Sequence, residues 1–141
     1  MIWTDRCSVG IPELEEQHKR VFERFVLLKE IVAKGGGWND LHSALATLIK
    51  DAEFCSALEE ALMRIHDYQE RERHTKEHGD LMRSLHAMEK TALTTGLTEE
   101  MMGTAFAATV KHHRTQDRRH ARYLQRAIRS MTSAVGKSIT Q

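Results

Sequence analysis

Apolar residues recur at intervals of three and four along most of the chain, the period of an amphipathic α-helix. Val21, Phe25, Leu28 and Val32 mark the first such stretch. It opens at Pro12, a residue suited to a helix's first turn, and stops at Gly35-Gly36-Gly37. A second stretch begins near Asn39 or Asp40, either a fair N-cap, and runs to about His66. Its stripe is Leu41, Leu45, Leu48, Cys55, Leu58 and Leu62. The run "DYQE" separates it from a third, which carries Leu81, Leu85 and Met88 and ends at Gly96. A fourth starts at Thr98, with Glu99 and Glu100 placed where acidic side chains suit the positive end of the helix dipole. It continues through "AFAATVKHHRTQDRRHARYLQRAIRSM". No strand-like alternation competes. Long amphipathic helices with short connections predict an all-α fold, an up-down-up-down antiparallel four-helix bundle with an N-terminal arm. Residues 1–131 are expected to form this one domain, and "TSAVGKSITQ", 132–141, a polar C-terminal tail.

Composition narrows the picture little further. A chain of 141 residues, 40% hydrophobic and 29% charged with a single proline, can bury a core without staples. A net charge of +1 gives no global pull toward nucleic acid or anionic lipid. No apolar run reaches membrane-spanning length, and "MIWTDRCSVG" lacks the pattern of a signal peptide. Two cysteines, Cys7 and Cys55, are too few for a disulfide framework, so a reducing cytoplasm is the default expectation. The basic residues Lys111, Arg114, Arg118, Arg119, Arg122, Arg126 and Arg129 read as a solvated helix face, with no base-reading motif beside them.

Nine histidines are many for this length, and several fall in phase with the core. Cys55 and Glu59 follow the stripe of Leu48 and Leu62, and His74 and His78 that of Leu81 and Leu85. His18 precedes Phe22 and Phe25, and the last helix offers His112, His113, Asp117 and His120. Polar groups on inner faces need partners. Each set lies near mid-helix, so in an antiparallel bundle they meet at one level. Imidazoles, carboxylates and a thiol from facing helices suit a transition metal, iron first and zinc or manganese next. Taken singly, each signal has a plainer reading. Cys55 alone is a small buried apolar group, the His74–His78 pair is common on solvated helices, and His113, Asp117 and His120 fit an exposed ion-pair ladder. His42, His66 and His86 show no such constellation and read as surface residues. The joint order and spacing carry the case.

That order resembles the hemerythrins, specifically the single-domain bacterial branch. The likeness runs from Trp3 to about Leu124, through "VGIPELEEQHK" around His18, "EEALM" with Tyr68 following, "HTKEH", and a His-x-x-x-x-Asp step on the last helix. The resemblance implies two iron ions joined by an oxo or hydroxo bridge, with O2 or a related small ligand such as peroxide or NO bound at one. It makes His74, His78 and His112 ligands of the filled iron, Glu59 and Asp117 bridges, and His18 a ligand of the open iron. Spacing alone prefers His113 to His112. Four residues before Asp117 keep both on one face, whereas five turn about 140° too far. The family's spacing is five, so His112 is expected to ligate, with the side chains or a local helix distortion absorbing the mismatch.

The departure is at position 55. The family pattern has His-Phe-x-x-Glu-Glu where this chain reads "CSALEE", so Cys55 and Ser56 replace the His and Phe. Asp51 stands where the family often has Tyr. Either Cys55 ligates as a thiolate, its pKa lowered by the nearby cation, or it falls short and water or Asp51 makes up the shell. Ligation is the reading adopted. A thiolate favours the ferric state and O–O cleavage over reversible release, by analogy with thiolate-bound haem. The expectation is therefore sensing or redox chemistry ahead of simple O2 carriage. A thiolate-assisted peroxidase or reductase, a reversible O2 carrier, and a lapsed site on a structural bundle are the competing readings. Cys7 is expected to be a bystander.

Overall fold

The computed structural model describes residues 10–140, with side chains to residue 136. Trp3 and Cys7, with the rest of the N-terminal arm, lie outside the described residues. Helix α1 spans Pro12–Ala33, α2 Trp38–Ile65, α3 Arg71–Thr94 and α4 Glu99–His112. A single π-helical turn, His113–Asp117, joins α4 to α5, Arg118–Thr140, so the last three elements form one rod. α1 packs on α2, α2 on α3, α3 on α4, and α4 back on α1. This is the antiparallel four-helix bundle that the periodicity predicts.

Local chemistry sets most of the ends. Pro12 occupies the first turn of α1. At the other end Gly35 takes φ +64, with Gly36 N–H donating to Ile31 O and Gly35 N–H to Val32 O. That left-handed cap closes the helix at low cost only with glycine. Thr98 caps α4, its Oγ1 accepting from Met101 N–H at 3.2 Å. Two ends differ from the expectation. α2 starts at Trp38 with Gly37 as N-cap, so Asp40 sits inside the first turn and acts through the helix dipole instead of capping. The last helix runs to Thr140 where a polar tail from 132 was expected. Residues 132–136 are exposed, yet nothing there breaks a helix. A lone Gly136 costs only about 1 kcal/mol, and each added residue gains a backbone hydrogen bond.

The apolar core falls into two clusters. Val21, Phe25, Leu28, Leu45, Leu48 and Leu85 fill one end of the bundle. Ile11, Leu14, Ala121 and Leu124 fill the other. Between them lies a buried layer that is almost wholly polar. Tyr123 ties that region to the α2–α3 turn by donating to His66 O at 2.6 Å. Among the described residues no helix is long and apolar enough to cross a membrane.

Candidate metal centre

Each helix delivers polar side chains to the layer between the clusters. His18 comes from α1, Cys55 and Glu59 from α2, His74 and His78 from α3, and His112 and Asp117 from either side of the π turn. All are buried, with Glu59 1% and His74 0% exposed. The seven sequence-predicted site residues therefore converge at one level.

The two carboxylates organise them. Glu59 Oε2 lies 2.9 Å from His74 Nε2 and 3.0 Å from His78 Nε2. Its other oxygen, Oε1, lies 2.5 Å from His18 Nε2 and 3.7 Å from Cys55 Sγ. Asp117 divides in the same way. Its Oδ1 is 2.9 Å from His112 Nε2 and 3.1 Å from His74 Nε2, and its Oδ2 is 3.4 Å from His18 Nε2. Each acid thus turns one oxygen to the His74–His78–His112 set and the other to His18. Metal–nitrogen bonds of about 2.1 Å at right angles put neighbouring donor atoms about 3 Å apart, the spacing between the carboxylates and His74, His78 and His112.

A second observation points the same way. His112 Nε2 and Asp117 Oδ1 are buried and close enough to hydrogen-bond, but neither makes a well-aligned hydrogen bond. Two such atoms converging on a common point fit a shared cation better than each other. The outer nitrogen of His112 is fixed separately, Nδ1–H donating to Glu77 at 2.8 Å, which leaves Nε2 as the inward lone pair. Glu59, His74, His78, His112 and Asp117 offer ligand atoms within 4.8 Å of one another; His18–Cys55–Glu59 and His18–His113–Asp117 do likewise. The residues present fit a pair of cations bridged by two carboxylates.

Electrostatics make the layer a cation trap. Burial and the neighbouring Asp117 would raise the Glu59 pKa, but hydrogen bonds from His18, His74 and His78 overcome both and hold it well below the usual carboxylate range. Burial likewise opposes ionisation of Asp117, while His18, His112, His113 and His74 keep its pKa low. Burial would depress His74, yet Asp117 and Glu59 raise it to about 9. His18 and His112 are raised for the same reason against the same opposing burial. In the metal-free protein, protons take the part of cations. Burial, with Glu59 and Asp117 nearby, pushes the Cys55 thiol well up.

The five-residue step from His112 to Asp117 is absorbed where a distortion was expected. The π turn covers 113–117, and its longer hydrogen-bond register brings position 112 back over Asp117. His113 is drawn inward as well, being 2% exposed, and does not belong to a surface ladder. His120 is 1% exposed, its ring 5.7 Å from His74 and 5.1 Å from Tyr68. Burial lowers its pKa to about 4, so it is neutral at pH 7. It stands behind His74 and belongs to no ligand cluster among the described residues. His86 is exposed as expected, whereas His42 and His66 are half-buried. Asp51 is turned away, its Oδ2 2.9 Å from Arg24 Nε, and so makes no second-choice ligand. Glu77 was not anticipated, because its partner His112 is 35 residues away in sequence and only the packed bundle joins them.

A cavity of about 50 Å³ adjoins His18, Cys55 and Glu59, walled by Val21, Phe22 and Phe25. That space suits a few molecules of water size, since about 10–15 Å³ of such space holds one water.

A family described as "Hemerythrin HHE cation binding domain" matches residues 9–123 of this chain. No curated protein and no solved structure matches.

Proposed function

The chain belongs to the hemerythrin family, and from that premise we propose that it is a non-haem di-iron protein for O2 or a related small oxidant, peroxide or NO, acting in sensing or redox chemistry ahead of carriage. The supporting observation is the division of Glu59 and Asp117, each with one oxygen toward His74, His78 and His112 and one toward His18. On this reading His74, His78 and His112 hold one iron, Glu59 and Asp117 bridge, and His18 holds the second with the Cys55 thiolate within reach. Bound there, the pair supplies one-electron redox chemistry toward the small oxidant.

The protein's own part is positional. Glu59 and Asp117 bring two buried negative charges that offset much of the cations' charge, and Glu77 orients the His112 ring. Val21, Phe22 and Phe25 line the space beside His18 with apolar surface, which favours small, weakly polar molecules there. Cys55 opens onto the same cavity, so its sulfur meets whatever enters.

The test is iron content after production in an iron-replete host, with the ferric spectrum of the wild type and of Cys55→Ser. About two irons per chain are expected, with a sulfur-to-iron charge-transfer band that Cys55→Ser lacks. Iron near zero would leave only a structural bundle. Identical spectra would remove the thiolate, and reversible oxygenation gained by Cys55→His would assign the departure from carriage to that one residue.

A further inference from the structure

The reading above leaves the second iron with His18, two carboxylate oxygens and a cysteine as its protein groups. A further helix-borne donor faces the same point. His113, at the start of the π turn, places Nδ1 3.4 Å from Asp117 Oδ2, the oxygen that is also 3.4 Å from His18 Nε2. We propose that His113 is a ligand of the second metal ion, supplying the imidazole that position 55 does not.

The ring geometry argues for this independently. In the His74–His78–His112 set the ring centroids are 4.5, 4.7 and 4.9 Å apart, with His74 and His78 inclined at 73°. His18 and His113 repeat that arrangement, at 4.5 Å and 75°. Rings whose nitrogens converge on one small ion are brought within about this distance of each other, and His18, His113 and Asp117 offer ligand atoms within 4.8 Å of one another. The π turn explains how two successive residues both reach the layer. His112 approaches Asp117 Oδ1 and His113 approaches Oδ2, so neighbouring histidines straddle one carboxylate. Sequence spacing of four made His113 the better partner for Asp117 in a regular helix; the distorted helix accommodates both.

The consequence for Cys55 is specific. With His18, His113, Glu59 and Asp117 in place, the second ion keeps its ring nitrogens without calling on sulfur. Cys55 Sγ, on the Glu59 side and lining the cavity, would then be left to meet the molecule that enters it.

The proposal rests on the two-metal reading, and its test separates the two. Elemental analysis and competition with a chromophoric chelator would be run on zinc-loaded wild type, His113→Leu and Cys55→Ser. Wild type and Cys55→Ser are expected to hold two ions, and His113→Leu to keep the ion at His74, His78 and His112 while losing the other. Retention of the second ion by His113→Leu at wild-type affinity, or its loss from Cys55→Ser instead, overturns the proposal. Wild type that takes only one ion overturns the two-metal reading itself. Should His113→Leu not fold, the zinc-loaded wild type still decides the matter. Long-range ¹H–¹⁵N spectra would show five histidines with a metal-bound ring nitrogen if His113 ligates, and four if it does not.

Discussion

Metal uptake by this site should be an exchange of ions for protons, and His74 sets its pH dependence. With no metal present, the His74 pKa is raised to about 9 by Asp117 and Glu59 against the opposing effect of burial. At pH 7 the ring therefore carries a proton that an incoming cation must displace. Two pH units make that displacement cost about 3 kcal/mol, or roughly 100-fold in apparent affinity. Affinity should therefore rise at least tenfold per unit from pH 7 toward 9, with His18 and His112, also raised, adding to the slope. A histidine of ordinary pKa would already be flat above about pH 7. The stability of the metal-free protein should move the other way. A folded pKa above the unfolded value of about 6.5 contributes stability that is whole below pH 6.5 and lost as pH climbs through 9, about 3 kcal/mol in all. Zinc titrations against a chelator of known protonation, with proton release followed in weak buffer, give the first slope. Thermal melts of the metal-free protein give the second. Affinity that stays level between pH 7 and 9 would refute the argument, because the carboxylates would then not be holding a proton where the cation goes.

Replacing Glu77 by Gln removes the charge that orients His112 while keeping the fold, and a 10- to 100-fold loss in metal affinity is expected by chelator competition, as for other outer partners of ligating histidines. Leu48 is fully buried in the larger apolar cluster, so Leu48→Ala should cost about 2–5 kcal/mol in chemical denaturation and leave the metal content of the folded fraction unchanged.

Much of this molecule was legible before any coordinates because the relevant signals are local. Pro12, the glycines after α1 and Thr98 act through sterics and hydrogen bonds within a turn, and they end helices where they stand. The level at which His18, Glu59, His74 and Asp117 meet followed from antiparallel topology and mid-helix placement. Three matters did not follow. The fate of His113 depends on a π turn whose need was evident from the spacing of His112 and Asp117, but whose effect on the residue between them was not. Glu77 finds His112 only through the α3–α4 packing. Asp51, one turn from Cys55, pairs with Arg24 of α1, and that depends on which flank of α2 faces α1.

The extra residue in the last rod also settles how its two halves face the same core. Met102 and Ala105 are buried before the distortion, Ala121 and Leu124 after it. The midpoints of these pairs are nineteen residues apart, which in an unbroken α-helix leaves them about 100° out of phase. Discount one residue and the remaining eighteen make about five whole turns, so both pairs fall on a single seam. The widened loop that delivers two histidines to the centre is thus also a phase corrector for the apolar stripe. Forcing that turn into regular α-helix with every residue kept would swing the far half of the rod by about 100° and take Ala121 and Leu124 out of the core, whereas excising one residue would keep the seam and cost the centre its paired histidines.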